Sequence, residues 1–165
     1  MATSEAYNLK ILIAEAGTVR PFNLHNHLSD LEHRMVGQAT SGEEAIAYTA
    51  QLHPDMVLVG LNLKGELGGL ETARMIQQYM RIPVVMMASG AEADLVHVQQ
   101  QNSDMEWLTD PVGRDRLKFA IKRAWESMRP YRQEASRMNG MIRLWQTICD
   151  GILVVDHKQR TIFMN

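Results

Sequence analysis

The sequence predicts an α/β fold: a doubly wound sheet of five parallel strands with a helical extension at its carboxyl end. Three observations lead there. Short apolar segments alternate with amphipathic segments of helical length from about residue 9 to about residue 126, the order that generates a parallel sheet with helices on both faces. The run Met56-Val57-Leu58-Val59 is uniformly apolar and rich in Val, as a strand buried on both faces must be. Punctuating residues, among them Ser41, the glycines at 65, 68 and 69, Pro83 and Pro111, fall at the junctions between segments, where turns and caps need them.

In chain order, Met1 to Asn8 is small and polar and reads as a frayed tail. Leu9 to Ala14 is the first strand. Thr18 to Leu31 has helical spacing through Val19, Phe22, Leu24, Leu28 and Leu31, with Pro21 tolerable in a first turn. Met35 to Thr40 is the second strand. Ser41 followed by Glu44 stands in capping-box order, opening a helix that runs to about Gln51. After the strand at Met56–Val59 come a glycine-punctuated loop and a helix from Gly69 to about Tyr79. Pro83 to Met87 is the fourth strand, Ala91 to Gln100 a weak helix, Met105 to Leu108 the fifth strand, and a strong helix runs from near Gly113 through Trp125. In open sheets of this kind sites form at the carboxyl ends of the strands. Those ends are Ala14–Ala16, Gly60, Ala88–Ser89 and Thr109–Asp110.

From residue 128 the pattern changes. Met128, Tyr131, Ala135, Met138, Ile142, Trp145, Cys149 and Ile152 fall on alternating steps of three and four, a seam of the coiled-coil type about three heptads long. Pro130 should kink or restart this helix, and Gly140 weakens its centre by about 1 kcal/mol relative to Ala. Two readings stay open for 128–148: a linker helix pairing with a second copy, or one amphipathic helix folded back on its own domain. Residues 149–165 read as a hairpin, with strands at Gly151–Asp156 and Thr161–Met164 around the polar turn His157–Arg160.

Composition excludes several classes. The chain has 165 residues, 45% apolar and 22% charged, with a formal net charge of -2, so no general electrostatic pull toward nucleic acid or an anionic membrane exists. Cys149 is the single cysteine, which rules out an intrachain disulfide and any Cys-based metal cluster. With no apolar run of about 18 residues, no membrane span is expected, and the amino terminus lacks the order of a signal peptide. These features together place the expectation in the cytoplasm. No Ser/His/Asp order, phosphate-binding loop or dinucleotide fingerprint is present. The six histidines are isolated, or in the case of His25 and His27 do not face one another on a helix. Arg114, Arg116, Lys118, Lys122 and Arg123 make the last domain helix basic, either a solvated face or a dock for an acidic partner.

The stretch Pro54-Asp55-Met56-Val57-Leu58-Val59-Gly60-Leu61-Asn62-Leu63-Lys64-Gly65-Glu66-Leu67-Gly68-Gly69-Leu70-Glu71 closely resembles the third strand, phosphoacceptor loop and third helix of response-regulator receiver domains, and the resemblance extends over about residues 9 to 126. It implies the flavodoxin-like receiver fold. It also implies a set of functional positions. The phosphoacceptor aspartate of that family falls on Gly60. The acidic pair after the first strand falls on Glu15 and Ala16, the hydroxyl after the fourth strand on Ala88, and the lysine before a proline on Asp110. Acyl-phosphate chemistry needs a carboxylate nucleophile, a metal held by further carboxylates and a neighbouring cation. Only Glu15 retains the family's chemistry. Ser89 is one residue past the hydroxyl position and should face the other way; Asn62 and Glu66 lie on the loop, where Glu66 is the conceivable off-position acceptor. Glu15 and Asp110 alone would make a weak cation site.

Cys149-Asp150-Gly151-Ile152-Leu153-Val154-Val155-Asp156 with Ile162-Phe163-Met164-Asn165 resembles the opening hairpin of a PAS sensor domain. That resemblance implies a piece of a longer signalling protein, with the receiver–PAS order of multidomain sensor histidine kinases. The expected function is a receiver that cannot be phosphorylated. It would work without cofactor, metal or catalytic residue as an interaction, dimerisation and relay module in a two-component system. Its expected partners are a second copy through the C-terminal helix, downstream PAS or kinase domains, or another signalling protein. Two alternatives are a phosphoacceptor using an off-position carboxylate, and a small-ligand sensor whose cavity is opened by Ala16, Gly60 and Ala88.

Overall fold

The computed structural model describes residues 7–17, 24–89, 92, 105–109, 112–130, 154–155 and 161–163. The elements of the first unit, Met1–Met128, are β1 (Lys10–Ala14), α1 (Leu24–Asp30), β2 (Arg34–Ala39), α2 (Gly42–Leu52), β3 (Met56–Gly60), α3 (Gly69–Met75) continued by a π-helical turn (Ile76–Met80), β4 (Val84–Ala88), β5 (Glu106–Thr109) and α4 (Arg114–Ser127). The five strands form one sheet in the order β2-β1-β3-β4-β5, every pair parallel. β3 lies at the centre and is buried along its whole length, which explains why its sequence does not alternate.

Strand periodicity divides the core into two layers. Ile11, Ile13, Met56, Leu58, Val85, Met87 and Leu108 point to one face, where they meet Leu24 and Leu28 of α1 and Leu117, Ala120, Ile121 and Ala124 of α4. Leu12, Ala14, Val57, Val59, Val84, Met86, Ala88 and Trp107 point to the other, against Ala45 of α2 and Ala73 and Ile76 of the α3 segment. Each buried aliphatic side chain of this size contributes about 1.5–3 kcal/mol. Both layers are built from apolar side chains.

Helix α2 begins as its sequence dictates. Ser41 is extended, and its hydroxyl accepts the Glu44 N–H at 3.2 Å. The Glu44 carboxylate reaches one residue further back than a simple capping box, taking the Thr40 N–H at 2.7 Å and the Thr40 hydroxyl at 3.1 Å. The helix closes on His53, left-handed at φ 46.

Where they are described, the elements depart from the sequence reading in four places. Most strand boundaries move by one residue, and β3 includes Gly60. The third helix turns π-helical at Ile76 and stops at Arg81, left-handed at φ 56. Tyr7, counted with the leading tail, packs its ring on Trp125 with centroids 5.8 Å apart. Of the expected first helix residues 24–31 are described and are helical over Leu24–Asp30, while the expected helix 91–100 lies outside the described residues apart from Glu92. Met128, taken as the first residue of the seam, is 4% exposed and its sulfur accepts from the Gln77 side chain at 4.0 Å. It belongs to the packed domain, because the helical spacing that draws a seam also draws the inner stripe of α4 past its C-terminus. Tyr131, Ala135, Met138, Ile142 and Trp145 lie outside the described residues.

The second unit, Arg129–Asn165, contains an antiparallel pair, β6 (Val154–Val155) and β7 (Thr161–Phe163), with Val154 opposite Phe163 and Val155 opposite Thr161.

Candidate functional site

The strand order places the carboxyl ends of β1, β3, β4 and β5 side by side. Ala14 of β1 lies opposite Val59, so Glu15 and Ala16 follow beside Gly60. Gly60 is opposite Met87, and Ala88 is opposite Thr109. The structure therefore brings Glu15, Ala16, Gly60 and Ala88 to one edge of the sheet; Asp110 lies outside the described residues. Glu15 and Ala16 are half-buried, and Gly60 and Ala88 are buried.

Gly60 is not a backbone necessity. A Cβ built there would meet the Ala14 carbonyl oxygen at 3.4 Å, the Glu15 Cα at 3.8 Å and the Glu15 Cγ at 3.9 Å, ordinary van der Waals contacts. Its backbone is not in the left-handed region that favours glycine. Gly69 is the opposite case. A Cβ at Gly69 would collide with the Gly60 carbonyl oxygen and stand 2.6 Å from that of Leu61, because α3 starts pressed against the end of β3. The Gly69 N–H donates to the Leu61 carbonyl at 3.1 Å. The loop thus has a glycine at 69 that its packing demands, and one at the end of β3 where packing leaves room for a Cβ.

The loop between β3 and α3 is held from three sides. Leu61 N–H donates to the Met87 carbonyl at 2.8 Å, and Lys64 N–H to the Thr40 carbonyl at 3.0 Å. The Glu43 carboxylate, from the first turn of α2, accepts the N–H groups of Glu66 and Leu67, each at 3.1 Å. Glu43's own N–H and then that of Leu67 hold its carboxyl below the usual range, against a small opposing desolvation, with smaller help from Glu66 and the Ser41 hydroxyl. Gly65, at φ 94, turns the loop against this carboxylate. Glu66, the candidate off-position acceptor, is exposed on a segment whose backbone is tied to α2.

A second carboxylate spans the site itself. Glu92 accepts the Ser89 N–H at 2.8 Å and the Asn62 side-chain amide, while the Glu92 N–H donates to the Ser89 carbonyl at 2.9 Å. The loops that follow β3 and β4 are joined through this one side chain. Sequence reasoning missed Glu92, although Ser89-x-x-Glu92 is the same signal that identified Ser41 and Glu44. Asn62 was placed on the loop but given no partner.

Among the described residues no group of three or more His, Cys, Asp or Glu comes together to hold a metal ion. A cleft of about 620 Å³ lies at the opposite end of the sheet, lined by Asn8, His25, Leu28, Ser29, Glu32, His33, Arg34 and Met35. His33 is half-buried there. Burial lowers its pKa, against opposing effects of the Tyr7 backbone and the Glu32 charge. No described helix is long and apolar enough to cross a membrane.

Comparison with known proteins addresses the same region. The family model described as response regulator receiver domain matches residues 11–122. The signal receiver domain of a modulated diguanylate cyclase from Desulfovibrio desulfuricans G20 superposes with a TM-score of 0.66 at 26% identity, over 76% of this chain and 99% of that one. A protein-glutamate methylesterase/protein-glutamine glutaminase from Syntrophus aciditrophicus is 35% identical over 83 residues, 50% of this chain and 23% of that protein. The nitrate/nitrite response regulator NarL of Escherichia coli K12 is 36% identical over 87 residues, 51% of this chain and 39% of that protein. The matches take in less than half the length of these two relatives.

Proposed function

The chain belongs to the response regulator receiver family of two-component signalling, and we propose that its receiver acts without phosphorylation, as a module that relays a signal by contact with other protein domains. The observation that carries this reading is the end of β3. Gly60 offers no carboxylate at the centre of the sheet edge, although a Cβ would fit there. Its neighbours Ala16 and Ala88 add neither a metal ligand nor a hydroxyl, and Glu15 alone cannot neutralise or bind what a phosphoryl group requires. The loops a phosphoryl group would have to reorganise are already joined by Glu92 and Glu43. The off-position alternative gains little from Glu66, which is exposed and has no metal-holding cluster beside it among the described residues.

If a PAS or kinase domain follows, the second unit would carry the change onward to it through residues 128–148, with pairing of two copies along Tyr131, Ala135, Met138, Ile142 and Trp145. The hairpin of β6 and β7 is compatible with the opening of a PAS domain. The relay itself is read as non-enzymatic and cytoplasmic. Acetyl phosphate, or beryllofluoride with magnesium, tests the central claim. Intact-mass spectrometry of the purified chain should show no phosphoryl adduct, and Trp fluorescence no metal-dependent change. A stable adduct on any carboxylate would overturn the proposal.

A further inference from the structure

The amino end of the sheet holds a chain of contacts that the opposite edge does not use. Glu32, left-handed at φ 62, turns the backbone between α1 and β2, and the His33 N–H is anchored on the Leu28 carbonyl at 2.9 Å. The half-buried His33 ring thereby meets the segment that leads into β1. The Leu9 N–H donates to His33 Nδ1 at 3.4 Å, and the Tyr7 backbone also bonds the ring. Leu9 is buried, and a buried N–H needs an acceptor. Two residues earlier the Tyr7 ring rests on Trp125, with centroids 5.8 Å apart and planes at 53°. Trp125 stands in the last turn of α4, which ends at Ser127, next to the boundary of the first unit at Met128. Residues 7–9 thus join an imidazole at the α1–β2 turn to the end of α4.

Nδ1 accepts the Leu9 N–H only while it carries no proton. Once the ring is protonated both of its nitrogens are donors, and the Leu9 N–H faces another N–H. Burial disfavours the charged ring in place, while the Tyr7 backbone and the Glu32 charge favour it; burial is the larger effect. The cleft of about 620 Å³ opens beside the ring, and the ionisable side chains that line it with His33 are His25 from α1, Glu32 from the turn and Arg34 from β2. Asp55, just before β3, is occupied by the Lys10 N–H at 2.8 Å, and Arg114 of α4 by the Asp30 carbonyl at 3.3 Å. An imidazolium that turns into the cleft regains water, with Glu32 as a counter-charge on the wall, and leaves Leu9 behind.

We propose that residues 7–9 are a proton-operated strap: neutral His33 fastens Leu9 and seats Tyr7 on Trp125, and protonation of the ring unfastens both and releases the last turn of α4. The fastened state is complete above 6.5 and is lost as pH falls through the lower folded value of His33. This goes beyond the contact reading above and does not depend on it, since the strap is remote from Gly60 and works whether or not the receiver takes a phosphoryl group.

The test is ¹H–¹⁵N spectroscopy of the whole chain from about pH 7.5 to about pH 5, across the range in which histidine titrates. It follows the His33 imidazole, the Leu9 amide and the Trp125 indole, the last assigned with Trp125→Phe. All should move with one midpoint, and the protection of the Leu9 amide against exchange should fall about tenfold, the loss expected of one hydrogen bond. His33→Asn supplies a side-chain oxygen that accepts the Leu9 N–H and does not titrate, so it should hold the Leu9 and Trp125 signals at their neutral-pH positions throughout. His33→Ala should show both at their acid positions already at neutral pH, and Tyr7→Ala should keep the Leu9 transition and lose that of Trp125. His33→Asn carries the decision should His33→Ala fail to fold. A Trp125 transition that survives in His33→Asn would assign the effect to another group, such as His25 or Glu32, and overturn the proposal. So would a Leu9 transition with an unmoved Trp125 in the unaltered chain, which would confine the proton's effect to the turn, or midpoints that differ between the signals.

Discussion

Replacing Gly60 by Ala should stabilise the domain, while the same change at Gly69, at the far end of the same loop, should cripple it. At Gly60 the added methyl meets nothing closer than the Ala14 carbonyl oxygen at 3.4 Å. The dominant effect is then the smaller entropy of the unfolded chain, worth about 0.5–1 kcal/mol in favour of Ala in a strand. For a domain of this size that raises the melting temperature by about 2–5 °C. At Gly69 the methyl lands on the Gly60 carbonyl oxygen. Backbone on backbone cannot yield as a flexible side chain can, so a loss of about 3 kcal/mol is expected. Gly60→Asp adds a carboxylate on a Cβ that lies beside the Glu15 side chain. Two neighbouring carboxylates disfavour each other's charged form. Gly60→Asp should therefore be less stable than its neutral isostere Gly60→Asn at pH 7, and the gap should close as the carboxyls protonate. Urea titration with Trp fluorescence measures all four variants. A Gly60→Ala variant destabilised by more than about 1 kcal/mol, beyond the whole expected gain, would refute the claim that the missing side chain at the end of β3 is a chemical choice and not a packing requirement.

Acid should loosen the start of α2. Hydrogen bonds from Glu43's own N–H and from Leu67 N–H depress the Glu43 carboxyl, and bonds from the Thr40 N–H and hydroxyl and the Tyr48 hydroxyl depress that of Glu44, both below 4.5. Their contribution is present above 4.5 and lost as pH falls through the lower folded values; Glu43→Gln and Glu44→Gln should flatten that limb of a melting-temperature profile. His33 obeys the same sign. Burial lowers its pKa from 6.5, so its contribution is complete above 6.5 and lost as pH falls through the folded value. A ¹⁵N titration of the imidazole should place its midpoint below 6.5, and a midpoint above it would contradict the burial argument. Glu92→Ala removes the acceptor shared by Ser89 N–H and Asn62, so amide exchange at Ser89 should accelerate about tenfold or more, as loss of a charged hydrogen bond of about 1.5–3 kcal/mol implies; an unchanged rate would mean that the two loops are held by other contacts.

The sheet was legible because parallel buried strands leave few alternatives. Val57, Leu58 and Val59 have no polar face to offer, and the Ser41–Glu44 pair announces its helix. The end of β3 was legible for the same reason, since a strand boundary fixes which residue sits at the sheet edge. What could not be read were contacts between loops distant in sequence. Asn62 and Glu92 are thirty positions apart, and Glu43 reaches Glu66 and Leu67 across α2 and β3. Both are tertiary geometry with no periodic trace. Met128 was ambiguous in principle: a step of three or four residues suits an inner stripe and an intermolecular seam equally, and only the Gln77 contact and burial distinguish them.

Glu92 is part of the polypeptide, whereas a phosphoryl group arrives and leaves. A bridge that is synthesised with the chain has no donor, no hydrolysis rate and no lifetime shorter than that of the protein. On the contact reading proposed above, the dose of this receiver in the cell is therefore set by how much of it is made and degraded, and its response time by partner encounter.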